Sequence, residues 1–91
     1  MDHTHIVKRH GHEEAYDNHK VYASCYAACV SAACHKEDAE RICGEVMQEV
    51  DTFIDDKGSV TSDEIFNETA RAMRGRHGEA AFLYETHRDI S

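Results

Sequence analysis

The chain has 91 residues and a mass of 10.3 kDa, which is enough for one small domain and too little for two. Hydrophobic residues make up 41% of the sequence and charged residues 31%, and there is no proline, so the composition is that of a globular protein rather than a disordered or fibrous one. The net charge of −8 excludes non-specific nucleic-acid binding, because an acidic surface repels the phosphate backbone.

The sequence also argues against a membrane protein or a secretory precursor. Its longest uncharged stretch, Val21 to Cys34, is shorter than the roughly 20 apolar residues of a membrane span, and no signal peptide is visible. The four cysteines contain no C-x-x-C pair, and three of them lie in an alanine-rich run that favours a helix. We therefore expect a cytoplasmic protein with reduced thiols.

The N-terminal part of the chain predicts a β-hairpin followed by a helix. Residues 5–9 and 13–16 flank a turn at residues 10–12, where Gly11 can adopt a positive φ, and residues 1–5 are expected to be a flexible N-terminus. Asp17 is an N-cap candidate for a first helix over residues 18–34. Small residues recur on one face of that helix: Val21, Cys25, Ala28, Cys29 and Ala32.

A second helix is predicted after the short connection formed by His35 and Lys36. Carboxylates crowd its first turn, where they favour the positive end of the helix dipole. Its apolar stripe consists of Ala39, Ile42, Val46, Val50 and Ile54, with Cys43 and Phe53 beside it. Residues 55–59 predict a turn-rich break after this stripe.

The C-terminal part predicts a short strand at Val60 and two further helices. Thr61 and Glu64 have the spacing of a capping box, which predicts that a third helix starts at Ser62. Gly75 predicts the end of this helix. A fourth helix follows over residues 79–88, with Ala80, Phe82, Leu83 and Tyr84 as candidate packing residues. The order of elements predicts a single α+β domain, in which a small three-stranded sheet caps a body of four helices.

Three cations are candidates for a phosphate site. Lys8 and Arg9 end the first strand, and Lys20 lies in the first turn of the helix that follows the hairpin. If the hairpin folds back on that helix, the three cations meet the helix N-terminus, whose free N–H groups favour an anion. A charged pair on an exposed strand is also the usual protection of a sheet edge against other chains.

Four segments of the chain, in this order, closely resemble the ATP-cone domain: Ile6–Gly11, Glu14–Val21, Val60–Ile65 and Ala81–Asp89. The resemblance covers residues 6–90 as the core of the domain. ATP-cones are regulatory modules of ribonucleotide reductases and of the repressor of their genes, and they bind ATP or dATP under a hairpin lid on a four-helix body. The resemblance therefore implies a regulatory domain that binds ATP or dATP, with Mg²⁺, and that controls oligomerisation or a partner protein.

The resemblance also assigns residues to this ligand. Lys8, Arg9 and Lys20 would contact the phosphates, and the strand residues Ile6 and Val7 would border the nucleotide.

Four further residues match polar or basic positions of the family. Glu14 and Asp17 would lie in the pocket, where Glu14 would orient a cation, meet a sugar hydroxyl or help to hold Mg²⁺. Thr61 matches a position near the base, and its capping role explains it equally well. Arg88 could reach the phosphates or act as a partner of the helix dipole.

The sequence departs from the family pattern at the hairpin turn and in its length. His10 replaces the usual Asp or Asn, and His12 follows Gly11, which could make the lid pH-sensitive. Neither a reductase domain nor a zinc ribbon accompanies the resemblance. We therefore expect a stand-alone module that acts on another polypeptide, such as a ribonucleotide reductase or its repressor, or on itself through oligomerisation.

Cysteines and histidines suggest an alternative class of protein. Cys25 and Cys29 share a helix face and could bind a metal with Cys34, His35 or Cys43, but core packing is favoured and zinc is not expected. The H-x-H pairs at residues 3–5 and 10–12 suggest a weak adventitious metal site. The alternative function is thus a metal- or redox-responsive protein with a degenerate nucleotide pocket.

The same residues allow two other classes of function. An interaction module would dock its acidic helical surface on a basic partner without any ligand. An enzyme is not expected, because the sequence contains no P-loop and no G-x-S-x-G motif.

Overall fold

The computed structural model describes residues 6–9 and 12–90, with side chains described for residues 6–8 and 13–86. Four helices and a small mixed sheet form the α+β fold that the sequence predicts. The turn predicted around Gly11 and the flexible segment predicted for residues 1–5 lie outside the described residues. The elements in chain order are β1 (Ile6–Arg9), β2 (His12–Ala15), α1 (Asn18–Ser31), α2 (Lys36–Lys57), β3 (Ser59–Thr61), α3 (Ser62–Arg74) and α4 (Gly78–Ile90).

The three strands are arranged in the order β2-β1-β3. β1 pairs antiparallel with β2 and parallel with β3, and the register places Val7 opposite both Glu14 and Val60. Val7 and Val60 are 4% and 1% exposed, and they anchor this face of the sheet on the helices. Lys8 and Thr61, one position further along, lie on the opposite and exposed face.

The core lies where the helices pack on one another. α1 packs against α2 and α4, and α3 packs against α2 and α4. Fully buried side chains of α2 and α3 fill the centre: Val46, Val50, Ile54, Thr69 and Met73. Among the helices of the described residues, none combines the length and the apolar character of a transmembrane segment.

α1 ends at Ser31, three residues before the predicted end at Cys34. Ala33 adopts a left-handed conformation with φ 62°, and the amides of Ala33 and Cys34 donate to the carbonyls of Val30 and Cys29. These two bonds are those of a Schellman motif, which terminates a helix. The position that glycine usually occupies in this motif is an alanine, so the sequence gives no stop signal.

α2 continues through Lys57, and the prediction of a break at residues 55–59 is wrong for the first three of these residues. Asp55, Asp56 and Lys57 are exposed, so they extend the solvent face of the helix instead of forming a turn. Gly58 ends the helix with φ 79°, and its amide donates to the carbonyl of Ile54 at 2.7 Å. A side chain is strained in this conformation, which explains why the stop signal is a glycine.

The predicted strand at Val60 and the third helix from Ser62 are confirmed. α4 begins at Gly78, where Nδ1 of His77 accepts a hydrogen bond from the amide of Ala80 at 3.1 Å. The prediction that Phe82 packs inward is wrong, because it is 65% exposed. The buried stripe of α4 follows Ala80 and Ala81 to Tyr84, and Phe82 lies off that stripe.

Candidate functional site

β1 brings two of the predicted site residues next to each other. Lys8 is opposite Thr61 of β3 and Glu13 of β2, and all three are exposed. Ile6 lies on the same face and is half-buried. This outer face of the sheet therefore combines a cation, a hydroxyl and an aliphatic side chain.

Val7 and Glu14 lie on the face of the sheet that is directed toward the helices. The side chain of Val7 belongs to the core, so it supports the strand from beneath. Glu14 is opposite Val7 in β2 and is half-buried. The carboxylate of Glu14 is thus placed on the opposite side of the sheet from Lys8.

The N-terminus of α1 positions Asp17 and Lys20. The Asp17 side chain accepts a hydrogen bond from the amide of His19 at 3.0 Å, and its carbonyl accepts one from the amide of Lys20 at 3.1 Å. The predicted capping role of Asp17 is therefore confirmed. No acidic residue lies in the first turn of α1, so the exposed ammonium group of Lys20 adds to the positive end of the helix dipole.

Lys8 and Lys20 differ from most other cations of the protein in having no carboxylate partner within the described residues. Lys36, at the start of α2, is the other described cation that makes no ion pair. The remaining cations with described side chains are all paired with carboxylates: Arg41, Lys57, Arg71, Arg74 and Arg76. In a chain of net charge −8, one lysine on the sheet and one at the start of α1, neither with a described ion-pair partner, are available to an anionic ligand.

A pair of hydrogen bonds fastens the junction between β2 and α1 to the middle of α2. The hydroxyl of Tyr16 donates to Oδ1 of Asp51 at 2.7 Å, and Nδ2 of Asn18 donates to Oδ2 of Asp51 at 3.3 Å. Burial, followed by the hydrogen bond and the negative charge of Asp51, raises the pKa of Tyr16 well above its usual value. This anchor holds the segment that contains Asp17. Sequence reasoning missed it, because no local motif links residues so far apart.

Thr61 caps α3, as the sequence predicts. Its hydroxyl oxygen accepts from the amide of Glu64 at 3.1 Å, and its own amide donates to Oε1 of Glu64 at 2.9 Å. Oε2 of Glu64 accepts from Nζ of Lys57 at 2.6 Å, and this bond, followed by the Thr61 amide, lowers the pKa of Glu64. The hydroxyl of Thr61 retains its proton as a donor for another group.

The described contacts do not bring all the predicted residues together. The sheet packs against α2 and α3, and no described contact joins it to α1, so Lys20 lies on a separate element from Lys8. Arg9 ends β1 and Arg88 lies near the end of α4, and the side chains of both are outside the described residues.

An open groove of about 660 Å³ between α2 and α3 contains none of the predicted site residues. Its lining is dominated by carboxylates, among them Glu45, Glu49 and Glu68, which form ion pairs with Arg71 and Arg76. Bonding to these carboxylates raises the pKa of both guanidinium groups. The groove would repel a phosphate group.

Three cysteines meet in the core between α1 and α2, in agreement with the predicted core packing. Cys25, Cys29 and Cys43 are fully buried free thiols, and their sulfur atoms lie within 4.8 Å of one another. Burial, followed by the nearby Cys43 sulfur, raises the pKa of Cys29 to about 12. A hydrogen bond with the Cys25 thiol, followed by burial, raises that of Cys43. Cys34 is half-buried and lies outside this cluster.

Comparison with known proteins identifies one family. The family model described as the ATP cone domain matches residues 4–87, which is essentially the whole chain and includes every predicted site residue except Arg88. No curated protein and no solved structure matches the chain.

Proposed function

This chain belongs to the ATP-cone family of nucleotide-binding regulatory domains, and we propose that it binds ATP or dATP, with Mg²⁺, at the outer face of its sheet and the start of α1. Lys8, Arg9 and Lys20 bind the phosphates in this proposal. Because the domain is regulatory rather than catalytic, we expect no nucleotide turnover.

The observation that supports this site most strongly is the absence of described ion-pair partners at Lys8 and Lys20. The protein has 18 acidic residues for 10 basic ones, and the arginines with described side chains use carboxylates as partners. A triphosphate is the kind of ligand that would compensate lysines left unpaired in such a chain. It would also bridge β1 and α1, which have no direct contact among the described residues.

The other site residues have roles that fit their surroundings. Ile6 and the Thr61 hydroxyl share the face of the sheet that presents Lys8, so they would border the sugar and the base. The backbone of Val7 runs through the centre of the sheet and holds Lys8 in register. Asp17 fixes the amides that precede Lys20.

Glu14 and Arg88 complete the proposed site. Glu14 lies on the face of the sheet directed toward the helices, away from Lys8, so in this proposal it would meet the ligand at the edge of the sheet, through Mg²⁺ or a sugar hydroxyl. Arg88 belongs to the last turns of α4, and we expect it to contribute to phosphate binding.

The regulatory output in this proposal is a change in self-association or in the binding of a partner protein, such as a ribonucleotide reductase or its repressor. A nucleotide that bridges β1 and α1 binds one arrangement of these elements better than others, and it thereby shifts the population toward that arrangement. Tyr16 lies between α1 and β2, the strand that pairs with β1, so in this proposal a movement of the sheet would reach α2 through the Asp51 anchor.

The test is isothermal titration of the protein with ATP and with dATP in the presence of Mg²⁺, with its mass followed by light scattering. The double variant Lys8→Ala, Arg9→Ala removes two charge-assisted contacts of about 1.5–3 kcal/mol each. We expect it to lose affinity roughly 100-fold or more.

Lys36→Ala is the matched control for this experiment, because Lys36 also has no ion-pair partner among the described residues but lies at the start of α2, away from the sheet. It should bind both nucleotides like the wild type. Equal affinity of the double variant and Lys36→Ala would show that the phosphates bind elsewhere. Saturable binding without a change in mass or in partner binding would contradict the proposed output.

A further inference from the structure

The cysteine cluster of α1 and α2 has no part in the proposed nucleotide site. Cys25 and Cys29 lie one turn apart on the inner face of α1, and Cys43 faces them from α2. All three side chains have no exposed surface, and all three sulfur atoms lie within 4.8 Å of one another. Three thiols from two helices thus surround one point of the core.

The spacing of these sulfur atoms is close to that of a three-coordinate ion site. Bonds from thiolate sulfur to a bound ion are about 2.3 Å, so three sulfurs around an ion that lies out of their plane, with angles near about 100° at the ion, stand about 3.5 Å apart. The cluster reaches this spacing when its widest separation contracts by roughly 1–1.5 Å, which side-chain rotations supply. No fourth ligand lies within the same distance among the described residues, whereas structural zinc sites use four.

The charge of the core determines which class of ion fits. Three thiolates carry three negative charges, and the only buried polar or charged side chain in the described part of the chain is Thr69, which cannot neutralise them. A monovalent ion would leave two negative charges and a divalent ion would leave one. A net charge in such a core is strongly disfavoured, so a trivalent ion is the best match because it leaves none.

We propose that Cys25, Cys29 and Cys43 form a binding site for a trivalent thiophilic element of the arsenite type, As(OH)₃. In this reaction three S–H bonds and three As–O bonds break, and three As–S bonds form. Each thiol proton leaves with one hydroxide as water, giving three waters and a neutral As(S-Cys)₃ group. Arsenic remains trivalent throughout, so no oxidant or reductant takes part.

Binding at this site would join α1 to α2 by three bonds in addition to their packing. We therefore expect the liganded protein to unfold at a higher temperature than the free protein, because the ligand binds the folded arrangement of the three sulfurs better than the unfolded chain. This inference is independent of the nucleotide site, whose residues lie on the sheet and at the opposite end of the α1 sequence from Cys29.

The direct test is native mass spectrometry of the reduced protein with one equivalent of sodium arsenite. We expect one adduct per chain, with a mass gain of one arsenic atom less three hydrogens, and protection of these three thiols of the wild-type protein from alkylation in urea, where the arsenite-free protein unfolds and all of its thiols react. Cys34→Ala is the matched control and should bind like the wild type, because Cys34 lies outside the cluster. Cys25→Ala and Cys43→Ala should lose the three-bond adduct.

Other outcomes would overturn this proposal. These are no arsenite adduct, an adduct with a mass loss of fewer than three hydrogens, or an adduct that is lost in Cys34→Ala. Parallel titrations with Zn²⁺ and with Cu⁺ test the charge argument, and tighter binding of either ion at the same three thiols would show that net charge does not select the ligand. Thiol protection is measured on the wild-type protein, so the test remains decisive if a core variant fails to fold.

Discussion

Two regions of this protein use the same residue types in opposite ways. On the surface formed by α2, α3 and α4, arginines form ion pairs with carboxylates. Arg76 binds Glu45 at 2.9 Å and also Glu49, and Arg74 binds Glu85 at 3.0 Å. At the sheet and the start of α1, Lys8 and Lys20 have no such partner within the described residues.

This contrast between paired arginines and unpaired lysines shows that charge composition alone says little about function in a small acidic domain. A paired arginine contributes to stability and is unavailable to a ligand, because binding a phosphate would require its carboxylates to be displaced. An unpaired lysine contributes little to stability and is open to an anion. Substitutions of the unpaired lysines should therefore lower nucleotide affinity and leave stability unchanged, whereas substitutions of the paired arginines should lower stability and leave affinity unchanged.

Among single substitutions, the largest expected effect is on nucleotide affinity in Lys20→Ala. The variant removes one charge-assisted contact of about 1.5–3 kcal/mol, so affinity for ATP should fall roughly 10- to 100-fold in isothermal titration. The free energy of unfolding in urea should match that of the wild type, because Lys20 is exposed and makes no described ion pair. A loss of stability without a loss of affinity would break the comparison between the two regions.

Arg76→Met should show the reverse pattern. The Arg76 side chain is 23% exposed, bonds to two carboxylates and donates to the carbonyl of Ala72 at 3.0 Å. Methionine keeps part of the packing and removes these bonds, so the free energy of unfolding should fall by about 1–2 kcal/mol, allowing for solvent screening of the carboxylates.

Urea unfolding and isothermal titration of Arg76→Met should be compared with Arg41→Met. Arg41 is more exposed and forms only long ion pairs, of 3.7 and 4.0 Å, so its replacement should cost less. An equal loss of stability in both variants would mean that the partly buried network around Arg76 has no special weight. Weaker nucleotide binding by Arg76→Met would mean that the two regions are not separate.

Sequence reasoning succeeded where the relevant interactions are local. Three predicted features depend on residues close by in the sequence, and all three are confirmed: the capping box of Thr61, the N-cap at Asp17 and the short strand at Val60. The end of α1 was missed because Ala33 takes the left-handed position that glycine normally marks. The continuation of α2 through Asp55 was missed because polar residues suit both a turn and the solvent face of a helix.

The sequence predicts which cations belong to the candidate site, but it does not predict which carboxylates lie near them. Lys8 and Lys20 follow from the motif, but the absence of described partners depends on where the carboxylates of other helices fall. The Tyr16–Asp51 anchor spans 35 positions, and the bond of Arg76 to Glu45 spans 31. Likewise the sequence places Cys25 and Cys43 in the core, but only the packing of α1 on α2 brings their sulfurs together.

Tyr16→Phe tests the link between the two regions. It removes the hydrogen bond to Asp51, which faces the groove between α2 and α3, and should lower the free energy of unfolding by about 1 kcal/mol. The pKa of Tyr16 is raised in the folded state, so the unfolded chain loses this proton first as pH rises. Stability should therefore fall above about pH 10 in the wild type.

The measurement for Tyr16 is urea unfolding at pH 8 and at a series of values above about pH 10. The alkaline loss of stability should be smaller in Tyr16→Phe than in the wild type. Tyr26→Phe is the matched control, because Tyr26 is a half-buried tyrosine of α1 whose hydroxyl makes no hydrogen bond within the described residues. If the free energy of unfolding of both variants falls with rising pH as steeply as that of the wild type, the hydrogen bond of Tyr16 to Asp51 does not contribute to the alkaline loss of stability.

The smallest expected effect concerns the ion pair of Lys57 with Glu64, the residue that completes the capping box of Thr61. Glu64→Gln removes the ion pair with Lys57 and keeps an oxygen for the amide of Thr61, since glutamine also completes a capping box. The pKa of Glu64 is lowered in the folded state, so its contribution is present above the ordinary pKa and disappears as pH falls through the folded value. The melting temperature of Glu64→Gln should therefore decline less between neutral and acid pH than that of the wild type, and ATP affinity should stay within a few fold.

Glu64→Ala also loses the bond to the amide of Thr61. If the Thr61 hydroxyl contacts the nucleotide, this variant should bind nucleotide more weakly, because the capping box no longer holds Thr61 in place. Equal affinities in the two variants would limit Thr61 to its capping role and would confine the ligand to the unpaired lysines.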